Sequence, residues 1–210
     1  MKKIWFALLS MIFIVATNAN AAPYTEGKQY TTLAQPIQDA PKVIEFFSFL
    51  CPHCYDFERT FGINKAVIDS LPSGVKLTRY HVDFLGGEYG VLLTHTWAVA
   101  MALGVEDKVL DPIFDGLQKT QTIKDKQTLK DAFIKAAGIT PAEYDAAWNS
   151  FAVNALVSKQ EKAVADFKIE GVPAFYINGK YFLRNDGMDT SNTDNFKADF
   201  SNVAKFLLNK

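Results

Sequence analysis

The chain has 210 residues, of which 49% are hydrophobic and 13% aromatic, a composition typical of a globular protein with a large core. Its 22 basic and 23 acidic residues leave a formal net charge of −1, which gives no indication of nucleic-acid binding. No apolar stretch after residue 21 is long enough to predict a membrane-spanning helix.

The first 21 residues have the pattern of a secretory signal peptide. Lys2 and Lys3 form a positively charged start, residues 4–16 are almost entirely apolar, and Ala19-Asn20-Ala21 fits the small-x-small pattern of a signal peptidase site. A membrane anchor would need about 18 or more apolar residues, and this stretch is shorter. We therefore expect cleavage after Ala21 and export of the remaining chain.

The first part of the exported chain has the pattern of a β-α-β unit. Lys42–Leu50 is an apolar run typical of a central strand that is buried on both faces. The following residues have helical spacing, with a break at Gly62, and Pro72-Ser73-Gly74 ends the helix. Val75–Leu85 then predicts a second strand, which completes the unit.

A helical block follows, from residue 86 to about residue 160. Thr140-Pro141-Ala142-Glu143 is its strongest signal, because Thr140 can cap a helix, Pro141 suits the first helical position and Glu143 completes a capping box. These residues predict the start of a long helix. Shorter helical patterns precede it at Leu92–Leu103, Lys108–Leu117 and Thr128–Ala137.

The last part of the chain predicts a β-hairpin and a helix. Gly171-Val172-Pro173 breaks the helical pattern, and Asn178-Gly179 between two short apolar runs is the dipeptide typical of a tight hairpin turn. Asp194–Leu208 has the apolar spacing of an amphipathic helix.

This order of elements predicts an α/β protein, with a thioredoxin-like fold interrupted by an inserted all-helical domain. We expect a signal peptide at 1–21, a discontinuous thioredoxin-like domain at 22–85 and 161–210, and a helical insertion domain at 86–160.

Cys51 and Cys54 are the only cysteines in the chain. Exported proteins normally use cysteines as structural staples between distant segments. A bridge between these two residues would close a loop of about four residues, which contributes roughly 2 kcal/mol, against about 4.7 kcal/mol for a 100-residue loop. The pair is therefore a poor staple, and redox chemistry is the better interpretation.

The predicted position of Cys51 favours its thiolate, which is the form that attacks disulfides. Cys51 lies where a buried strand meets the first turn of a helix, so unpaired N–H groups and the helix dipole present positive potential. Pro52 suits an early helical position, and a protonated His53 adds positive charge. Cys54 follows one helical turn later, and we expect it to be the less exposed, resolving cysteine.

Two metal interpretations of these residues are weaker. A c-type haem site needs a histidine directly after the second cysteine, where this chain has Tyr55. A zinc site needs about four ligands, and only His81 and His95 are available besides His53 and the cysteine pair. We expect no bound metal and no cofactor.

Several segments together resemble the DsbA family of bacterial periplasmic thiol-disulfide oxidases. They are EFFSFLCPHC, WAVAMALGVEDK, EYDAAWNSF, GVPAF, NGKY and GMDTSN, which occur in that order over nearly all of the exported region. The resemblance implies a periplasmic and monomeric enzyme. It also implies unfolded, newly exported polypeptides as substrates and reoxidation by a DsbB-like, quinone-linked membrane protein.

The resemblance also implies roles for residues around the cysteines. Val172-Pro173 matches a loop with a cis-proline that binds substrate backbone, although only about 5–6% of X-Pro bonds in folded proteins are cis. Glu45 matches a buried glutamate that assists proton transfer at the second cysteine, and a purely structural ion pair remains the alternative. Glu58 and Arg79 are expected in the same charge cluster.

An apolar groove beside the cysteines is a further expectation of the resemblance. The candidates are Phe61, Phe84, Leu85 and Phe196, and each of them could instead be an ordinary core residue.

Two other functions remain open on the sequence. One is a disulfide isomerase or reductase on the same fold, although only residues 22–41 lie between the predicted cleavage site and the first predicted strand, where isomerases of this type usually have a dimerisation domain. The other is a chaperone that binds peptides without redox turnover.

Overall fold

The structure, a computed structural model, describes residues 23–210 and contains five β-strands and eight α-helices in that range. The strands are β1 (Tyr30–Thr32), β2 (Val43–Phe47), β3 (Leu77–His81), β4 (Ala174–Ile177) and β5 (Tyr181–Leu183). The helices are α1 (Pro52–Tyr55), α2 (Ile63–Ser70), α3 (Glu88–Leu103), α4 (Glu106–Phe114), α5 (Lys126–Ala137), α6 (Pro141–Trp148), α7 (Phe151–Phe167) and α8 (Thr193–Leu208).

The five strands form one mixed sheet in the order β1-β5-β4-β2-β3. β2 and β3 are parallel and are joined through α1 and α2, whereas β4 is antiparallel to both β2 and β5. All five residues of β2 are buried, as expected for a central strand. The predicted thioredoxin-like α/β fold is confirmed.

Helices cover both faces of this sheet. α2 and α8 pack together on one face around Phe175, Ile177 and Phe200. Ile44, Phe46 and Tyr176 meet the end of α7 at Phe167 on the other face. The helices between β3 and β4 enclose a separate hydrophobic cluster. This cluster includes Cys51 and Cys54, so it extends to the start of α1.

The predicted β-α-β unit and the hairpin are present, with shorter strands than the apolar runs indicate. β3 ends at His81, because the chain turns away from the sheet before Leu85. Asn178 and Gly179 both have a positive φ, of 54° and 60°, as the tight turn between β4 and β5 requires.

The sequence does not predict β1, because the first strand that it predicts begins at Lys42. β1 pairs antiparallel with β5, and Tyr30 lies opposite Leu183. Of its three residues, only Tyr30 is fully buried, so the segment has no alternating pattern that would predict a strand.

The prediction of one long helix from Thr140 is wrong. α6 ends at Trp148, and Ser150 begins α7 by accepting a hydrogen bond from the backbone N–H of Val153 at 3.1 Å. α7 then continues without a break through residue 160. The predicted domain boundaries stay a prediction, and the one at residue 160 falls inside this helix.

The predicted signal peptide lies outside the described residues. Within residues 23–210, no helix is both long enough and apolar enough to cross a membrane.

Candidate active site

The two cysteines lie directly after the central strand, at the start of α1. Cys51 is the residue that precedes the helix, and Pro52 occupies its first position, as predicted. Both cysteines are free thiols. Cys54 lies within the first turn and is only 1% exposed.

Cys51 is more accessible than Cys54, as expected, although neither side chain is exposed. Its exposed fraction is 7%, because the Val172-Pro173 loop covers it from the other side of the site. The Cys51 thiol donates a hydrogen bond to the carbonyl oxygen of Val172 over 3.3 Å. The Val172–Pro173 peptide bond is cis, as predicted.

The surroundings of Cys51 lower the pKa of its thiol from the ordinary value of 9.0 to about 6. The largest cause is the hydrogen bond from the Cys54 thiol, and the backbone N–H groups of Cys54 and His53 add to it. The positive charge of His53 contributes further, while partial burial opposes all of these effects. A group with this pKa is roughly nine-tenths thiolate at pH 7.

The pKa of Cys54 changes in the opposite direction. Burial raises it far above the ordinary value of 9.0, and the Cys51 sulfur and the Glu45 carboxylate raise it further. Cys54 therefore stays protonated when Cys51 ionises. The two cysteines therefore differ in reactivity: Cys51 is the nucleophile, and Cys54 is the partner that keeps its proton.

Glu45 lies within a buried charge cluster. Arg79 donates from Nε to Glu45 Oε2 at 3.0 Å and from Nη2 to Glu58 Oε2 at 2.8 Å, which confirms the expected grouping. Asn64, which sequence reasoning missed, donates from Nδ2 to both carboxylates. Burial nevertheless raises the pKa of Glu45 from 4.5 to about 7, against the lowering effect of Arg79.

A depression beside the cysteines brings together some of the groove candidates. It has a volume of about 250 Å³ and is lined by His53, Phe57 and Phe61 on one side and by Val172 and Pro173 on the other. The predicted Phe61 is therefore in this surface.

The other groove candidates do not line this depression. Phe196 packs behind it, with its ring centroid 6.4 Å from that of Phe61 and 5.7 Å from that of Phe57. Phe84 is 44% exposed in the segment after β3, and Leu85 packs against the helical cluster. A substrate-binding role for these residues stays a prediction.

Gln118 joins the helical insertion to the active site, and sequence reasoning missed it. Its Nε2 donates to the backbone carbonyl oxygens of Phe49 at 2.8 Å and Cys51 at 3.1 Å. Gln118 lies in a π-helical turn, Asp115–Lys119, that continues α4. No local pattern could have identified it, because the contact spans more than sixty residues of chain.

His81 supports the backbone of the segment between β2 and Cys51. Its Nε2 accepts a hydrogen bond from the backbone N–H of Phe49 at 3.1 Å, and its Nδ1 lies 2.9 Å from Thr94 Oγ1. Burial lowers the pKa of His81 to about 3, so the ring is neutral. Among the described residues, no three His, Cys, Asp or Glu side chains cluster in a way that could hold a metal ion.

Comparisons with known proteins are consistent with this geometry. Residues 42–199 match the model of a family described as the DSBA-like thioredoxin domain. The whole chain is 56% identical to the thiol:disulfide interchange protein DsbA of Escherichia coli strain K12 and 52% identical to that of Dickeya dadantii, over 100% of each protein.

Solved structures of DsbA proteins are also similar to this chain. A DsbA variant from Proteus mirabilis, crystallised with a non-covalently bound peptide PWATCDS, has a TM-score of 0.85 and 48% identity, over 90% of this chain and 100% of that chain. DsbA from Klebsiella pneumoniae has a TM-score of 0.84 and 36% identity, with the same coverage of both chains.

Proposed function

The chain belongs to the DSBA-like thioredoxin family and is a thiol-disulfide oxidoreductase that introduces disulfide bonds, and we propose that Cys51 and Cys54 carry this reaction. The observation that supports these roles is the opposite change of the two thiol pKa values within one helical turn. Only Cys51 is both ionised at neutral pH and partly accessible.

The proposed reaction is two successive disulfide exchanges. A substrate thiolate attacks Sγ of Cys51 in the oxidised enzyme, the Cys51–Cys54 bond breaks, and Cys54 leaves as a thiolate. A second substrate thiolate then attacks the substrate sulfur of the mixed disulfide, and Cys51 leaves as a thiolate. The substrate gains a disulfide and the enzyme gains its two electrons, so this step needs no cofactor.

Glu45 has the properties of the group that supplies a proton to Cys54. The thiolate of Cys54 is strongly disfavoured in its buried position, so it must take up a proton as it leaves. The carboxyl of Glu45, with a pKa of about 7, holds a transferable proton near neutral pH. Arg79 cannot fill this role, because its guanidinium does not deprotonate in proteins.

The substrates of this proposal are unfolded, newly exported polypeptides. The peptide bound by the Proteus mirabilis relative supports such a substrate, and the depression between His53 and Pro173 offers an apolar surface next to Cys51. We assign Phe61 to this surface directly, and Phe196 as its support. Phe84 and Leu85 would extend it toward the helical insertion.

Reoxidation and location complete the proposal. The enzyme is released from each cycle as a dithiol, so it needs an oxidant, and a DsbB-like quinone-linked membrane protein is the partner that we propose. We further propose that the chain is exported to the periplasm after cleavage at Ala21 and acts there as a monomer.

Equilibration with a glutathione buffer tests whether the protein is an oxidase or a reductase. Stabilising the Cys51 thiolate stabilises the reduced form and makes the disulfide a stronger oxidant. The disulfide closes only a very short loop and therefore adds little stability to the oxidised form, so it does little to offset the stabilised thiolate. We expect the pair to be mostly reduced at a redox poise of about −200 mV, measured by acid quenching, alkylation and mass spectrometry.

The opposite outcome would favour the alternative function. A pair that remains mostly oxidised at this poise, and is reduced only by a much stronger reductant, would indicate a reductase on the same fold.

A further inference from the structure

Asn64 lies at the start of α2, between the two carboxylates of the buried charge cluster, and is only 2% exposed. Its Nδ2 lies 3.1 Å from both Oε1 and Oε2 of Glu45 and 2.7 Å from Oε2 of Glu58. Carboxylate oxygens accept hydrogen bonds, so the end of the amide that faces them is the donating NH₂ group. One neutral group therefore bridges Glu45 and Glu58.

Packing alone does not explain an asparagine at this position. The Oδ1 of Asn64 is covered and has no hydrogen-bond partner among the described residues. A covered polar atom without a partner costs free energy. A leucine would fill a similar space without this cost, so the contacts of the NH₂ group with the carboxylates are what distinguishes asparagine here.

The charge balance of the cluster gives these contacts a consequence. A single cation is shared by the two carboxylates, because Arg79 binds Glu45 through Nε at 3.0 Å and Glu58 through Nη2 at 2.8 Å. With both carboxylates ionised, these three side chains have a net charge of −1 in a place that is shielded from water. A neutral donor to both carboxylates favours their charged form without adding a charge.

Few other groups can act on Glu45. The titratable side chains that face it are Arg79 from β3, Glu58 from the turn after α1, and Cys54 from α1. β4, its other neighbour in the sheet, places Phe175 opposite it, and α8 packs on this face through apolar side chains. The amide from α2 is therefore a substantial part of the polar environment of Glu45.

We propose that Asn64 is a positioning residue for proton transfer between Glu45 and Cys54, and that its NH₂ group sets the pH at which Glu45 gives up its proton. In the step concerned, the attacking thiolate bonds to Sγ of Cys51, the Cys51–Cys54 bond breaks, and the Glu45 proton moves to Sγ of Cys54. Glu45 is left as the carboxylate that Asn64 stabilises. This inference rests on the proposed function, in which Glu45 supplies that proton.

Titration of Glu45 in the oxidised enzyme, in which neither cysteine titrates, tests the effect of Asn64. The measurement is the NMR signal of the glutamate side-chain carboxyl carbon, labelled with ¹³C, and Glu45→Gln identifies the signal by removing it. We expect Asn64→Leu to move the midpoint of the Glu45 titration upward by about 1–2 pH units, because the charged form loses its hydrogen bonds from the amide.

A second variant and a control accompany this titration. Asn64→Ala lacks the same donors without placing apolar bulk against the carboxylates, so it should move the midpoint in the same direction even if Asn64→Leu folds poorly. Asn154→Leu, which replaces an exposed asparagine in α7, is the matched control and should keep the midpoint of the unmodified enzyme.

The rate of the chemical step should follow the same titration. Oxidised enzyme is mixed with dithiothreitol, whose second thiol resolves the mixed disulfide, and the rate constant is divided by the fraction of the reagent that is thiolate. This corrected rate constant should fall as the pH rises through the Glu45 midpoint, because the proton donor is lost. In the Asn64 variants the fall should move upward by the same amount as the NMR midpoint.

The outcomes separate failure of this inference from failure of the proposed function. If both Asn64 variants keep the unmodified Glu45 midpoint, or if the midpoint moves while the fall in rate stays in place, the role of Asn64 is wrong. If the corrected rate constant of the unmodified enzyme does not follow the Glu45 titration, Glu45 is not the proton donor, and the proposed function is wrong in that part.

Discussion

A Cys51→Ser variant should lose all measurable ability to form disulfides in a reduced, unfolded substrate protein. The hydroxyl of serine can neither form the mixed disulfide nor store electrons, and Cys54 cannot replace Cys51, because it is 1% exposed and its pKa is raised far above the usual value. The measurement is the loss of substrate thiols over time, with glutathione disulfide as the terminal oxidant.

The Cys54→Ser variant is the informative partner of that experiment. It keeps the Cys51 nucleophile but lacks the group that resolves the mixed disulfide, so it should accumulate a covalent adduct with a disulfide-containing substrate. Disulfide formation that continues in Cys51→Ser would show that the assigned nucleophile is wrong. Protection of an unfolded protein from aggregation by Cys51→Ser would measure how much of the function is peptide binding alone.

An Arg79→Met variant should lose about 3–5 kcal/mol of unfolding free energy at pH 8, because methionine leaves the buried Glu45 carboxylate and the partly buried Glu58 carboxylate without their cation. The side chain of Arg79 is only 8% exposed, and that of Glu45 is 1% exposed. The destabilisation should be smaller at pH 5. Glu45 has a raised folded-state pKa, so its unfavourable buried charge develops as the pH rises and is removed on acidification.

Arg184→Met is the matched control for this prediction. Arg184 pairs with Asp186 at 2.6 Å, but both side chains face solvent, so its loss should change stability little at either pH. Urea unfolding of both variants in the reduced form gives the comparison. Equal losses for the two variants, or a loss for Arg79→Met that grows on acidification, would contradict the view of a buried cluster that depends on Arg79.

Local sequence patterns were sufficient for much of the fold. The buried strand β2, the Thr140 capping box and the Asn178-Gly179 turn each depend on neighbouring residues, and each is present. β1 was missed because its pairing with β5 joins residues about 150 positions apart. The break between α6 and α7 had a local signal in Ser150, which caps the second helix, but the apolar spacing on both sides concealed it.

The active site also contains residues that local sequence patterns predict and residues that they do not. Cys51, Pro52, His53 and Cys54 form one continuous motif, so sequence reasoning could place them at a helix start. Gln118 and Asn64 reach the site from two other parts of the chain. Asparagine and glutamine are common on protein surfaces, and only tertiary contacts distinguish these two from the rest.

The start of α1 stabilises the thiolate of Cys51 and not that of Cys54. The most direct test is the rate of alkylation of each cysteine in the reduced protein, measured from pH 4 to pH 9 by brief labelling and mass spectrometry. We expect the Cys51 rate to rise with a midpoint near pH 6, since the thiolate is the reactive form, and Cys54 to remain unlabelled throughout. A midpoint near pH 9.0, the ordinary pKa of a cysteine thiol, or labelling of Cys54 before Cys51, would contradict this assignment.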